Sequence, residues 1–496
     1  MRGWRADLAA IALGALSAVA LPPFHLIPVL LVSVPGLLAL IDGARGPGSA
    51  ARRGWWFGFG HHLFGLYWIT EAILVEAARF WWFVPIAVPA LSAVLVLFIA
   101  VPATLARIAG PGLGRVLALA GAWTLADIAR QFVATGFPWN PWGSVWAVPG
   151  VGGDVMIQPA AWIGEPGLTL ATVLLAGLPS LGTRACMLGL AALGCWLAAG
   201  VARLRSPDPP AAGLQVVLVQ GNVEQGQKWD REFAIRIFER YLRLTAEGVA
   251  QAGPGRKVVV WPETASFFLL ETDAMARQAI ARAAGGAAAL VGTVRFDRQD
   301  RPRNSLAAIL PDGTLGGLYD KWHLVPFGEF QPDWIPMPVQ VVPGGGFGAG
   351  PGPETLHLPG LPAFGPLICY EAVYPGQMVA RQDRPDWLVN ITNDAWFGYS
   401  TGPRQHLAAA RIRAVEEGLP LMRAANTGIS AGFDAKGREL GRLGLGRTGV
   451  LVLGLPGPLP PTAFGKGGLW IPGLLAAVLL LGGLMARHVL ITPRSR

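Results

Sequence analysis

The stretch Gly365-Pro366-Leu367-Ile368-Cys369-Tyr370-Glu371 organises the chain, because it delivers one cysteine at the end of an apolar run, with a carboxylate two residues later. A short apolar run of this kind predicts a buried strand. A thiol at the end of a strand, next to charged groups, is a candidate nucleophile. We therefore expect function to centre on Cys369.

Two other stretches contain side chains that can activate such a thiol. The run Val258-Val259-Val260-Trp261-Pro262-Glu263 presents a glutamate, and the run Tyr319-Asp320-Lys321-Trp322-His323-Leu324-Val325-Pro326-Phe327-Gly328-Glu329 presents a lysine. A nearby ammonium lowers the pKa of a thiol, and a carboxylate accepts its proton. The predicted chemistry is proton removal from Cys369 by Glu263, thiolate attack on a carbonyl, and stabilisation of the oxyanion by Lys321.

The spacing of these residues leaves two other interpretations open. In the first, Cys369 is a buried inert thiol near two unrelated loop charges. In the second, a Cys-His pair does the chemistry, with the base drawn from His323, His357 or His406. The scarcity of lysine strengthens Lys321 as a functional residue, because the chain has few others: Lys228, Lys257, Lys436 and Lys466.

The composition excludes an ordinary soluble protein. Of the 496 residues, 52% are hydrophobic and 14% are charged, with 66 glycines and 42 prolines. A large part of the chain is therefore expected in a membrane. The net charge of +9 does not indicate nucleic-acid binding, because the arginines of the first half lie singly or in pairs between apolar runs.

The other two cysteines do not form a disulfide with each other. Cys186 and Cys195 lie in one apolar segment, where nine helical steps separate them by roughly 13 Å on opposite faces. The three cysteines also have no zinc-binding spacing. Cys369 is therefore expected to be a free thiol.

Eight apolar runs are predicted to cross the bilayer, most of them with about the 17–25 residues that a crossing requires. The first run ends in Ala18-Val19-Ala20, which is similar to a signal-peptidase site, but further spans follow at once and favour a retained helix. The eight runs are 8–21, 26–41, 55–75, 81–108, 116–133, 160–181, 185–201 and 469–490.

The distribution of arginine predicts the orientation of these spans. With the N-terminus inside, one set of short loops and chain ends carries nearly all the positive charge, as cytoplasmic segments do. The long segment between Arg203 and Gly468 then faces outward, and both termini are cytoplasmic. The inward-facing arginines are Arg2, Arg5, Arg45, Arg52, Arg53, Arg107, Arg115, Arg184, Arg487, Arg494 and Arg496.

These patterns predict four segments: a transmembrane domain of seven helices at 1–205, a proline-rich linker at 206–213, an α/β domain at 214–456, and a last helix with a cytoplasmic tail at 457–496. Within the α/β domain, short β-branched runs alternate with helical stretches. The predicted strands are 215–220, 257–261, 287–296, 306–310, 364–369, 387–391, 421–423 and 449–453. The predicted helices are 231–250, 273–284, 375–381 and 404–417.

Four motifs together resemble the carbon-nitrogen hydrolase, or nitrilase, superfamily. They are Trp-Pro-Glu at 261–263, Asp-Lys-Trp-His-Leu-Val-Pro-Phe-Gly-Glu at 320–329, Ile-Cys-Tyr-Glu at 368–371 and Thr-Asn-Asp-Ala-Trp-Phe-Gly at 392–398. Joined to eight spans, they resemble the apolipoprotein N-acyltransferase family of bacteria over essentially the full length. Gln220-Gly221-Asn222, Lys228-Trp229-Asp230 and Asn426-Thr427-Gly428-Ile429 fit that family too, whereas the glycine tract at 344–352 departs from it.

The resemblance implies a nitrilase-like αββα sandwich beside a multi-span helical membrane domain. It also implies that Glu263 is the base, Lys321 the transition-state stabiliser and Cys369 the nucleophile. The implied supporting or substrate-binding residues are Glu329, Glu371, Tyr370, Trp229 on a mobile loop, Asn393 and Trp396. Neither a metal nor another cofactor is implied.

The family's reaction moves an acyl chain from a phospholipid to Cys369 as a thioester, and then to the α-amine of a diacylglyceryl-cysteine at the N-terminus of a lipoprotein. The implied partners are therefore a phospholipid, a diacylglyceryl apolipoprotein and the bilayer, with no nucleic acid, and the protein is expected to be a monomer. The implied location is the bacterial inner membrane, with the catalytic domain in the periplasm.

Two further functions remain as alternatives. One is a membrane-tethered amidase or nitrilase in which water resolves the thioester. The other is a transporter with an accessory domain, which predicts paired broken helices and mid-membrane charges that the sequence lacks. A mobile lid is also expected beside the site, with 330–339 dipping into the membrane interface and 344–348 as its hinge. An ordinary packed loop is the alternative for that segment.

Overall fold

The computed structural model of the chain describes residues 3–75, 77–224, 231–332 and 346–489. Its contacts divide the chain into two compact units. The first contains the residues up to Ser206 together with those from Ala463 onward, and the second is Pro207–Thr462.

The first unit is helical throughout its regular structure. Its helices are α1 (Trp4–Ala18), α2 (Leu30–Asp42), α3 (Pro47–Gly65), α4 (Ile69–Leu74), α5 (Ala77–Phe80), α6 (Val84–Leu95), α7 (Leu97–Ile108), α8 (Leu113–Ala129), α9 (Val151–Met156), α10 (Ala160–Gly177) and α11 (Thr183–Arg205). Two more follow the second unit in sequence, numbered here in chain order as α15 (Ala463–Gly467) and α16 (Trp470–Val489).

Three helical segments of this unit are long and apolar enough to cross a bilayer, within the part of the chain that the structure describes. They are Ala77–Ile108, Ala160–Leu181 and Thr183–Arg205, and two shorter apolar segments are Ile27–Asp42 and Trp470–Ala486. A membrane domain is therefore supported, whereas the count of eight spans stays a prediction.

The second unit alternates strands and helices. Its strands are β1 (Leu214–Gln220), β2 (Arg256–Val260), β3 (Ala288–Phe296), β4 (Pro302–Ile309), β5 (Leu315–Asp320), β6 (Phe364–Ile368), β7 (Trp387–Thr392), β8 (Leu421–Ala425), β9 (Ser430–Phe433), β10 (Glu439–Leu443) and β11 (Gly449–Gly454). Its helices are α12 (Arg231–Gln251), α13 (Ala274–Ala283) and α14 (Gly402–Glu417).

The strands form two sheets, each of them mixed. One sheet has six strands in the order β11-β1-β2-β3-β4-β5, and the other has five in the order β10-β9-β8-β7-β6. The central neighbours β1, β2 and β3 run parallel, as do β6, β7 and β8. Parallel neighbours bring the ends of successive strands to one sheet edge, where their following residues can meet.

Alternation along the strands explains the layers. On β1, Val216 and Leu218 belong to a core shared by both sheets, whereas Val217 and Val219 belong to a core shared with α12 and α13. The other sheet is covered by α14, which contacts β8 and the turn after β6. Because successive side chains of a strand face opposite sides, these two cores give helix, sheet, sheet, helix, the predicted αββα sandwich.

Within the second unit, the sequence prediction differs from the structure at five places. Residues 375–381 form turns and bends instead of the predicted helix, because Pro375 and Gly376, which has a φ of 72°, interrupt helical geometry. Strands β5, β9 and β10 were not predicted, since their glycines obscure the β pattern. Strand β4 also begins earlier than the predicted 306–310.

Candidate active site

Three strands of the second unit each deliver one of the predicted catalytic side chains. Lys321 directly follows β5, Cys369 directly follows β6, and Glu263 lies three residues beyond β2. The backbone N–H of Lys321 donates to the carbonyl of Asn304 at 2.8 Å, which continues the pairing of β4 with β5. All three residues are buried, with 5% of Glu263, 1% of Lys321 and 5% of Cys369 exposed.

Two carboxylates surround the buried ammonium. Lys321 Nζ lies 3.3 Å from an oxygen of Glu263 and 2.8 Å from an oxygen of Glu329. Burial alone would lower the pKa of Lys321, but Glu329, Glu263 and Cys369 outweigh it and raise that pKa above its ordinary value. The lysine is therefore a fixed positive charge at any working pH.

The carboxylate of Glu263 is held on both of its oxygens. Oε1 accepts from the amide of Asn304 at 2.7 Å and from Lys321, and Oε2 accepts from the backbone N–H of Asn393 at 2.9 Å. The same Asn304 nitrogen donates to Glu329 Oε1 at 2.8 Å. Asn304 therefore fixes the two glutamates relative to each other.

Cys369 starts a short 3-10 turn with a φ of 51°, which is left-handed backbone. Burial and the Glu263 carboxylate raise the pKa of its thiol above the ordinary value, against the opposing effect of Lys321. The thiol is therefore protonated at rest, and a base would have to remove its proton before it could act as a nucleophile. Glu263 is a candidate for that base, since an ionised carboxylate only accepts hydrogen bonds.

Glu371 connects the turn that begins at Cys369, here called the nucleophile turn, with the loop that begins at Lys321, here called the lysine loop. Its Oε2 accepts from the N–H of Ile368 at 2.6 Å, and its Oε1 accepts from the N–H of Trp322 at 2.8 Å and the hydroxyl of Tyr319 at 3.0 Å. Burial raises the pKa of Glu371 to about 7, against these donors and Lys321. Its position supports a role in holding loops.

The remaining predicted site residues lie in different surroundings. Tyr370 is buried, with its ring edge-on to Tyr374 at 5.2 Å between centroids. Asn393 reaches Glu263 through its backbone, and its side-chain oxygen accepts from Asn426. Trp396 is at the surface, with 36% of the residue exposed. Trp229 lies outside the described residues.

The three histidines considered as alternative bases are engaged elsewhere. The ring of His323 stacks on that of Tyr374 with 3.8 Å between centroids, and burial lowers the pKa of His323 to about 4. His357 is exposed and contacts Asp383 at 2.9 Å. His406 directs Nε2 to the backbone carbonyl of Cys369 at 2.9 Å. This geometry favours the carboxylate of Glu263 as base.

The predicted lid falls partly outside the described residues, which omit 333–345. The described part of the glycine tract packs against the backbone of Lys321 and Glu329. Phe347 donates to the carbonyl of Glu329 at 2.7 Å, and Gly350 donates to the carbonyl of Lys321 at 2.8 Å. Residues 346–350 therefore fit the alternative of a packed loop.

Sequence reasoning missed Asn304 and the network around His406. Asn304 gave no sequence signal, because it lies between Arg303 and Ser305 and before the predicted strand at 306–310. Among the described residues, one set of Cys, His and acidic ligand atoms lies close enough to hold a metal, namely Cys369, Asp394 and His406, within 4.8 Å of one another. Protein partners already occupy both His406 nitrogens and both Asp394 oxygens, which fits a hydrogen-bond network better than a metal site.

Comparison with known families divides the chain at the same place as its sequence patterns. Residues 13–178 match the apolipoprotein N-acyltransferase N-terminal domain, and residues 215–456 match the carbon-nitrogen hydrolase domain. An apolipoprotein N-acyltransferase of Rhodopseudomonas palustris is 39% identical over 97% of this chain and 95% of its own length. One of Bradyrhizobium diazoefficiens is 40% identical over 97% of this chain and 94% of its own.

Solved structures of the nitrilase superfamily are similar to part of the chain. An amidase from Nesterenkonia sp. is 19% identical, with a TM-score of 0.37, and the match covers 50% of this chain and 92% of the amidase. A superfamily member from Saccharomyces cerevisiae is 15% identical, with a TM-score of 0.38, and the match covers 57% of this chain and 96% of that protein.

Proposed function

The chain belongs to the apolipoprotein N-acyltransferase family, and from that premise we propose that it moves an acyl chain from a phospholipid to a lipoprotein through a thioester on Cys369. The acceptor is the α-amine of an N-terminal diacylglyceryl-cysteine. The observation that carries the proposal is one buried thiol, one carboxylate and one ammonium brought to the ends of three separate strands.

In the first half of the reaction, Glu263 accepts the thiol proton while the sulfur of Cys369 attacks the ester carbonyl of the phospholipid. Lys321 stabilises the negative charge that forms on the carbonyl oxygen. When the tetrahedral intermediate collapses, Glu263 returns the proton to the departing alkoxide. A lysophospholipid leaves, and Cys369 carries the acyl chain as a thioester.

In the second half, the amine of the acceptor attacks the thioester, and Glu263 takes the proton that the nitrogen loses. The new amide bond forms as the carbon–sulfur bond breaks. The thiolate recovers a proton from Glu263, which restores the resting site. The raised pKa of the Cys369 thiol favours this return.

The supporting residues have separate roles in this proposal. Glu329 holds the ammonium of Lys321 and shares Asn304 with the base. Glu371 joins the lysine loop to the nucleophile turn. The proposed substrate contacts come from Tyr370, Asn393, Trp396 and Trp229.

Both proposed substrates are anchored in the bilayer, and this explains why such a catalytic domain is joined to apolar helices. Moving an acyl chain into water costs about 0.8 kcal/mol per methylene. A site at the membrane surface avoids that cost. The arginine asymmetry supports a periplasmic catalytic domain in the inner membrane, with both termini in the cytoplasm.

The proposed domain organisation follows the sequence: a seven-helix transmembrane domain at 1–205, a linker at 206–213, a catalytic domain at 214–456, and a last helix with its tail at 457–496. The protein acts as a monomer in this proposal, since one chain supplies the base, the ammonium and the thiol.

The test uses purified full-length protein in detergent, a phospholipid labelled in its acyl chain, and a synthetic diacylated lipopeptide. We expect label on the lipopeptide amine, lost in Cys369→Ala. A matched control is Cys195→Ala, since Cys195 is an exposed thiol outside the site. Labelled free fatty acid with no labelled lipopeptide would instead identify a membrane-tethered amidase or esterase, in which water resolves the thioester.

A further inference from the structure

The backbone of Cys369 has an unfavourable conformation, and a histidine far along the chain contacts its carbonyl oxygen. Cys369 has a φ of 51°, and a left-handed non-glycine residue of this kind costs about 1–3 kcal/mol. Such a conformation persists only where its surroundings over-determine it. His406, on α14, lies with Nε2 at 2.9 Å from the carbonyl oxygen of Cys369.

The ring of His406 is itself fixed by buried charges. Its Nδ1 lies 2.9 Å from Asp394 Oδ1 and 3.2 Å from Arg423 Nη2, and Arg423 also donates to Asp394 Oδ2 at 2.7 Å. His406, Asp394 and Arg423 are each fully buried. A ring with two engaged nitrogens in a close-packed site has one available orientation.

The partners decide where the ring carries its proton. A backbone carbonyl only accepts hydrogen bonds, so the contact with Cys369 requires a proton on Nε2. Nδ1 faces an acceptor on Asp394 and a donor on Arg423, so it can be protonated or bare. The donor to Cys369 is therefore present whether His406 is neutral or charged.

Holding this carbonyl also orients the other side of the same peptide unit. The peptide from Cys369 to Tyr370 is planar, and in a trans unit its N–H points opposite to its C=O. Fixing the oxygen toward α14 therefore fixes the direction of the Tyr370 N–H. Strand β6 holds the backbone before Cys369, so fixing the peptide after it also sets the direction of the Cys369 Cα–Cβ bond. Glu371 fixes the peptide unit between Leu367 and Ile368, one unit further back, by accepting from the N–H of Ile368 at 2.6 Å.

We propose that His406 is a positioning residue for acyl transfer, which acts by donating Nε2–H to the Cys369 carbonyl and so aims the thiol at the substrate carbonyl. This inference rests on the proposed function. It differs from a Cys-His-Asp triad, in which the histidine would take the thiol proton itself. Here Nε2–H is directed at the backbone, and Glu263 remains the base.

Two substitutions separate the histidine's two nitrogens. His406→Gln places an amide nitrogen near the position of Nε2 and retains a donor for Cys369. His406→Asn places its amide near the position of Nδ1 and leaves the Cys369 carbonyl without that donor. Both variants remove the imidazole, so neither can act as the base of a triad.

The readout is the burst of p-nitrophenolate released when full-length protein in detergent is acylated by a p-nitrophenyl ester of a fatty acid. Cys369→Ala defines the background, and the melting temperature is recorded for each variant. We expect the burst rate of His406→Asn to fall at least tenfold at an unchanged KM, and that of His406→Gln to stay within about fivefold of the unsubstituted protein. Loss of an oriented hydrogen-bond donor to an oxyanion lowers a rate by about 10²–10³, and this is the largest fall in burst rate that we expect for His406→Asn.

Equal burst rates in the unsubstituted protein and His406→Asn would overturn the proposal. So would a folded His406→Gln whose burst rate falls a hundredfold, since that result points to a base. If His406→Asn does not fold, the glutamine variant alone decides by the same criterion. A burst without transfer of label to a lipopeptide would count against the proposed function. The burst rates of the His406 variants would still test the positioning role, because they report acylation of Cys369 alone.

Discussion

Replacing Lys321 with methionine tests the charge arrangement of the site. The change removes the ammonium that lies 3.3 Å from Glu263 and 2.8 Å from Glu329, and it leaves two buried carboxylates facing each other. Removing one partner of a buried ion pair costs about 3–5 kcal/mol. At about 2–4 °C per kcal/mol for a unit of this size, the melting temperature of the catalytic domain should fall by roughly 6–20 °C.

The loss should depend on pH in a definite direction. In the unsubstituted protein the pKa of Lys321 is raised, so its stabilisation is complete below the ordinary lysine pKa of 10.5 and is lost only as pH rises through the raised value. In Lys321→Met, the pKa of one glutamate rises above its unfolded value, because like charges share the site. A raised carboxyl pKa means stability that is lost as pH rises, so the deficit should grow from pH 5 to pH 8.

The assay is thermal unfolding in detergent, followed at both pH values. The control is the double variant Lys321→Met with Glu329→Gln, which removes one of the two facing carboxylates and so restores the net charge of the site. It should regain about half of the lost stability. Lys257→Met, at a partly exposed lysine of β2, should change the melting temperature little. An unchanged melting temperature in Lys321→Met, or a deficit equal at pH 5 and pH 8, would refute the reasoning.

Three further outcomes are expected. Glu263→Gln should slow the acylation burst by about 10²–10⁴, as loss of a general base does, and a burst within threefold of normal would exclude Glu263 as base. Because burial raises the pKa of the Cys369 thiol, alkylation of Cys369 by iodoacetamide should increase with pH up to and beyond pH 9, and a plateau near pH 7 would contradict this. In Gly350→Ala the new Cβ would lie 2.2 Å from the carbonyl oxygen of Asp320, so stability should fall by about 1–3 kcal/mol. Gly454→Ala, where a Cβ meets nothing within 4 Å, is the matched control for that thermal measurement.

The sequence by itself determined β2 and β6, two of the three strands that carry the site. Short β-branched runs predicted β1, β2 and β6, because residue preference is a local property of the chain. The chemistry of Glu263, Lys321 and Cys369 was predicted from their residue types. Glycine and proline caused errors of two kinds. In β5, glycines obscured a strand that the structure contains, and at 375–381 a helix was predicted where proline and glycine prevent one.

Only the tertiary structure decided which polar groups meet. Asn304 lies 41 residues from Glu263, and His406 lies 37 residues from the carbonyl of Cys369, so no window of sequence contains either pair. Hydrogen-bond partners are selected when buried polar atoms must be satisfied after the sheets and α14 pack. The sequence therefore identified Cys369 as the candidate nucleophile, whereas packing determined which groups hold it in place.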